Sequence, residues 1–133
     1  MKARVKWVDD MMFVGESPSG HGIVIDGSVK VGVSPMEMLL LGMGGCSSID
    51  VVEILKKSRV DLVDCVVELE AERADEIPKV FTKIHAHYIV SGRGLKPAQV
   101  ERAINLSVEK YCSASIMLGK TAKLTHDYEI VEL

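Results

Sequence analysis

Three cysteines and four histidines are the side chains of this chain best suited to chemistry. Cys46 closes the run Ser34-Pro35-Met36-Glu37-Met38-Leu39-Leu40-Leu41-Gly42-Met43-Gly44-Gly45-Cys46. A thiol there can serve as a nucleophile in its thiolate form, or as half of a redox pair. Three is an odd number, and no cysteine stands in a CxxC or Cys/His ligand spacing, so neither a zinc centre nor a secreted disulfide framework is expected, and no cofactor is expected. Reduced cytosolic thiols fit this pattern, with a transient redox pair as the alternative. His85 and His87 point to one side of a strand as a metal pair would, but no third ligand accompanies them; surface charge pairing is the expected role.

Cys46 is positioned by a helix with a marked start. Ser34 at the cap, Pro35 at the first helical position and Glu37 at the third form a capping box, and apolar residues follow at once. The pattern predicts a helix from Pro35 to about Arg59, with Lys56, Lys57 and Arg59 at the negative end of its dipole. Gly42, Gly44 and Gly45 each cost roughly 1 kcal/mol against Ala in a helix, and close approach of another backbone is the expected compensation.

Before this helix, residues 2 to 8, 11 to 15 and His21 to Asp26 read as an N-terminal β-meander. After it, Cys65 to Arg73 alternates, with Cys65, Val67, Leu69 and Ala71 toward a core and Glu68, Glu70 and Glu72 away from it. Val80 to Val90 alternates as well, placing Val80, Ile84, Ala86, Tyr88 and Val90 opposite Lys83, His85 and His87. As a hairpin, these two segments would set the acidic row against the basic one. Pro97 begins a second helix carrying Val100, Ala103, Ile104, Val108 and Tyr111 on its apolar face; residues 113 to 118 form a short further turn, and Leu124 to Val131 a final strand. Cys65 reads as a core residue, and Cys112, from the residues alone, as a small buried hydrophobe.

One domain, 1–133, is expected from the length. The net charge of -3 comes from interspersed acids and bases, which offer no stripe for a phosphate backbone, so nucleic acid is not an expected partner. The nearly apolar run Met38 to Ile49 is too short to span a bilayer, and the first residues lack the apolar segment of a signal peptide. A cytoplasmic protein with no membrane partner is expected.

The order of elements, with a thiol 11 residues after the helix-starting Pro and a second thiol after a C-terminal helix, resembles the OsmC/Ohr family over essentially the whole chain. Ser34-Pro35 through Gly44-Gly45-Cys46-Ser47, Ile77-Pro78-Lys79-Val80-Phe81-Thr82-Lys83-Ile84, and Lys110-Tyr111-Cys112-Ser113 resemble its YhfA-like branch. The resemblance implies an α+β fold: an N-terminal β-meander, a long central helix, a β-hairpin, a second helix and a final strand, in an intertwined homodimer whose central helices pack closely. It also implies reduction of organic hydroperoxides in oxidative stress defence. Cys46 matches the peroxidatic thiol and Cys112 the resolving thiol, so that a sulfenic acid on Cys46 would condense with Cys112 and an external dithiol, often a lipoyl group on a protein, would reduce the disulfide.

Peroxidase branches of the family assist the thiolate with an N-terminal Arg held by a Glu directly after the helix-starting Pro. In this chain that position is Met36, and the carboxylate is Glu37. At about 100° per residue, Met36 lies roughly 80° around the helix from Cys46 and Glu37 about 180° away, so Glu37 is expected to cap. The meander offers Arg4, and the Ser17 to Gly22 loop offers His21 as a substitute cation or base, with plain solvation as its other role. Asp50, one turn after Cys46, would disfavour the thiolate if close and unpaired. A second function stands beside the peroxidase: a non-catalytic small-molecule-binding or stress-associated protein on the same scaffold, holding an apolar ligand.

Overall fold

Ser34 and Glu37 start the long helix reciprocally. The Ser34 N–H donates to Glu37 Oε1 at 2.8 Å, and the Glu37 N–H donates to Ser34 Oγ at 3.2 Å. In the computed structural model, which describes residues 1–133, this helix, α1, spans Pro35–Lys57. It stops before Arg59, whose φ of 60° is left-handed and cannot continue a helix. The chain divides into two compact units, Met1–Leu41 and Gly42–Leu133.

In the first unit, β1 (Arg4–Asp9), β2 (Met12–Glu16) and β3 (Gly22–Asp26) form an antiparallel meander in that order. Phe13 pairs with both Trp7 and Ile25. The turn after β3 is built around Asp26, which is buried. Its carboxylate accepts from the Ser28 hydroxyl at 2.7 Å and from the N–H groups of Ser28, Val31 and Lys30 at 2.8, 3.0 and 3.1 Å. These donors, the Ser28 hydroxyl foremost, hold its pKa down at about 2.

In the second unit, β4 (Asp61–Arg73) and β5 (Phe81–Arg93) form the expected hairpin, and β6 (Lys123–Glu132) lies parallel to β5 on its other side. A parallel partner needs a long crossover. Here α2 (Pro97–Leu106), a π-helical turn (Ser107–Tyr111) and α3 (Ser113–Leu118) supply it. Val51 and Leu55 from α1, Ala86, Tyr88 and Val90 from β5, and Val100, Ala103 and Ile104 from α2 make the core, flanked by Cys65, Val67 and Leu69 of β4.

Several expectations are corrected in detail. Val80 lies outside β5, and Phe81 is buried instead, because the hairpin register shifts between Glu72 and Arg73. The α-helical period of the second helix ends at Leu106; the π turn changes the rotation per residue, and Tyr111 emerges exposed. Of the three helix glycines, Gly44 alone meets a close neighbour: a Cβ there would reach Leu69 Cδ1 at 2.7 Å, a side chain of β4 rather than another backbone. Gly42 and Gly45 face open space. At 23 residues with a hydropathy of 1.6, α1 is also long and apolar enough by composition to cross a membrane, since it extends well past Ile49. Its Met43, Gly44, Ser47, Val51 and Leu55 stripe is nevertheless buried.

Candidate functional site

Cys46 sits on α1 one position before the buried Ser47, and its own side chain is partly exposed. Cys112 ends the π turn and is completely buried. Crossover and helix bring the two thiols together. The Cys112 thiol reaches the Met43 carbonyl, one helical turn before Cys46, at 3.9 Å, and Cys46 lies near enough to raise the Cys112 pKa. Ser115 donates to Cys112 Sγ twice, from Oγ at 3.0 Å and from N–H at 3.3 Å. Burial pushes the Cys112 thiol up, the Ser115 donors pull it down, and the adjacent Cys46 adds to the rise. Both sulfurs are free thiols.

Beside this pair runs a buried hydroxyl chain. Ser47 Oγ lies 2.6 Å from Tyr88 Oη and 2.8 Å from Ser107 Oγ, and Ser107 Oγ lies 2.9 Å from Asp50 Oδ2. An ionised carboxylate only accepts. Ser107 therefore donates to Asp50, Ser47 to Ser107, and Tyr88 to Ser47. Asp50 is thus hydrogen-bonded at the end of this chain. Burial is the main cause that pushes the Tyr88 phenol up, and the Ser47 contact counters it. The sequence carried a signal for this chain: Tyr88 stands on the core side of its strand and Ser107 on the apolar stripe of its helix, and both need a buried polar partner.

Other candidate positions have local partners. Glu37 is the capping carboxylate described above, as its helix position predicted. His21 is exposed and held within its own turn, its Nδ1 2.9 Å from Ser19 Oγ and its N–H donating to Ser17 Oγ at 3.1 Å. Arg4 pairs with Glu16 at 3.7 Å. Cys65 is partly buried against the core, and burial, with Asp64 beside it, raises its pKa. His85 and His87 are corrected in their partners. They stand opposite Glu70 and Glu68 in the hairpin register, yet His87 contacts Asp127 at 2.6 Å and Glu129 at 3.0 Å, and His85 contacts Asp127 at 3.0 Å, all from β6.

Two cavities are lined by residues of the same elements, though by neither thiol. One of about 570 Å³ is lined by Asp50, Glu53, Ile54, Lys57, Arg102 and Tyr111 among others. A smaller one of about 240 Å³ is lined by Met43, Ser115, Ala86, Val108, Leu124 and His126 among others, so it adjoins both groups that touch Cys112.

A thiol on a long helix beside a second thiol within the crossover, on a meander-helix-hairpin-helix-strand chain, defines a class. The chain belongs to the OsmC family: the family model described as "OsmC-like protein" matches residues 26–127. Among particular proteins it is similar to Protein YhfA of Escherichia coli (strain K12), 57% identical over 132 residues covering 98% of each chain. A hypothetical protein from Aquifex aeolicus VF5 has the same fold with a TM-score of 0.90, at 29% identity over 99% of this chain and 96% of that one. The organic hydroperoxide resistance protein OhrB of Bacillus subtilis shares the fold with a TM-score of 0.64, at 16% identity over 97% of this chain and 98% of that one. The α+β architecture implied by the sequence resemblance is thereby established.

Proposed function

We propose that this protein is a thiol-dependent organic hydroperoxide reductase, with residues 1–133 acting as a single OsmC-like domain. The observation that carries the reading is the partly exposed Cys46 beside the buried Cys112. The Cys46 thiolate attacks the distal peroxide oxygen; the O–O bond breaks, Cys46 becomes a sulfenic acid, and the alkoxide takes a proton and leaves as alcohol. The Cys112 sulfur then displaces hydroxide from that sulfenic acid, giving a disulfide and water. An external dithiol, a lipoyl group on a protein in the family's manner, restores both thiols and is itself oxidised.

We further propose a homodimer. Gly42 and Gly45 open to space, and Leu39, Leu41 and Ile49 are exposed on the same helix. A second copy of α1 would cover them.

One observation favours non-catalytic binding of a small apolar molecule: Glu37 is committed to the cap and Arg4 to Glu16, so the usual activators are engaged elsewhere. Thiol titration before and after stoichiometric cumene hydroperoxide separates the two functions. The peroxidase loses two thiols per chain rapidly, and neither Cys46→Ser nor Cys112→Ser does so. Oxidation no faster than that of free cysteine would leave the binding function.

A further inference from the structure

The two sulfurs of the pair have unequal surroundings, and the inequality concerns the half of the cycle in which the disulfide is reduced. Ser115 is 1% exposed and Cys112 is 0% exposed, whereas Cys46 is partly open. The Ser115 hydroxyl and N–H both end on Cys112 Sγ, at 3.0 and 3.3 Å. In the reduced thiol the Cys112 proton is left for the Met43 carbonyl.

We propose that Ser115 assists disulfide reduction: it stabilises Cys112 as the leaving sulfur while an incoming dithiol attacks Cys46. This rests on the disulfide cycle proposed above. Thiol–disulfide exchange requires an attacking thiolate to reach one sulfur while charge develops on the other. Burial closes Cys112 to attack. The Ser115 donors meet the charge where it grows, and hydrogen bonds to an ionised acceptor are about twice as strong as those to a neutral one. They therefore favour the transition state over the uncharged disulfide. In the first step one thiolate of the dithiol forms an S–S bond to Cys46, the Cys46–Cys112 bond breaks, and its electron pair leaves on Cys112. In the second, the dithiol's other sulfur attacks its own mixed disulfide and expels Cys46 as thiolate. The dithiol ends as an intramolecular disulfide, two electrons having passed to the protein, and Cys112 then takes a proton from solvent.

The test forms the disulfide with diamide, independently of any peroxide, in the wild-type full chain and in Ser115→Ala and Ser115→Thr variants. A brief pulse of 2-mercaptoethanol followed by acid quench and peptide mapping locates the adduct, and dithiothreitol under pseudo-first-order conditions gives the reduction rate. The expected results are an adduct on Cys46 with Cys112 free, a reduction rate about tenfold or more lower in Ser115→Ala, and a near wild-type rate in Ser115→Thr, which keeps the hydroxyl. Because burial alone keeps the incoming thiol on Cys46, the adduct stays there in Ser115→Ala, and the leaving-group role is read from the rate, which Ser115→Thr restores and Ser115→Ala does not. Wild-type adduct on Cys112, an unchanged Ser115→Ala rate, or failure of diamide to link Cys46 to Cys112 overturns the inference. Should Ser115→Ala not fold, Ser115→Gly takes its place in the rate comparison, and a Ser115→Gly rate equal to wild type overturns the inference. If the diamide-formed disulfide behaves as expected while cumene hydroperoxide forms none, the peroxidase function fails and the leaving-group role of Ser115 stands.

Discussion

Ser47 occupies the middle of the buried chain from Tyr88 to Asp50, so its removal strands groups on both sides. In Ser47→Ala the buried Tyr88 hydroxyl loses its acceptor and Ser107 its donor, a loss expected to cost about 1–3 kcal/mol. Tyr88→Phe removes only the terminal donor and leaves Ser47 bonded to Ser107, at about 1 kcal/mol. Urea unfolding should show a lower midpoint with unchanged slope for both, and more so for Ser47→Ala; the reverse order would contradict the donor direction. Asp26 provides a second prediction. Its pKa is about 2 folded against an ordinary 3.8, a depression, so its contribution is fully present above about pH 4 and is lost as pH falls through about 2. Asp26→Asn should lower stability at neutral pH and flatten the acid limb of a stability-against-pH curve between those values. Both sites were only half legible in the sequence. Tyr88 and Ser107 stood on faces that needed polar partners, but which partner each found depends on packing.

At the scale of elements, the parallel pairing of β5 with β6 decides the fate of the two histidines. Alternation placed Lys83, His85 and His87 on one face correctly, and the hairpin brought Glu72 to Lys83 at 3.8 Å. Periodicity within a strand cannot say which strand lies on its other edge. There, β6 sets Asp127 beside His87 in register and adds Glu129. Glu129 first, then Asp127, raise the His87 pKa above 6.5, while His87 above all lowers that of Asp127. The His87 contribution to stability is therefore full below pH 6.5 and lost as pH rises through its folded pKa. That of Asp127 is present above 3.8 and lost as pH falls through its own. An NMR titration of the His87 ring should give a midpoint above 6.5 that drops in Glu129→Gln, and added salt should shrink the difference because the site is exposed. A midpoint unaffected by Glu129→Gln would remove β6 as the cause.

At the scale of the whole molecule, the open face of α1 makes the proposed homodimer measurable. Gly45→Ala meets nothing within the chain, so in an isolated protomer it should stabilise the helix by roughly 0.5–1 kcal/mol. If a second helix packs there, the added methyl instead weakens association. Analytical ultracentrifugation across a concentration series should show wild-type dimer shifting toward monomer in Gly45→Ala, and a protein monomeric in both forms would remove the dimer. The sequence by itself determined the order of elements, the Ser34–Glu37 cap, the place of Cys46 on its helix and the alternation of the two hairpin strands away from the shifted register at Glu72 and Arg73, because these depend on side chains a few residues apart. Tertiary structure decided what lies far along the chain: that Cys112 comes to Met43 across 69 residues, that Tyr88 finds Ser47 across 41, and that Leu69 fills the space left by Gly44. Such contacts are fixed by the register of strands and the path of the crossover, and periodicity gives the face a residue occupies without naming the partner it meets there.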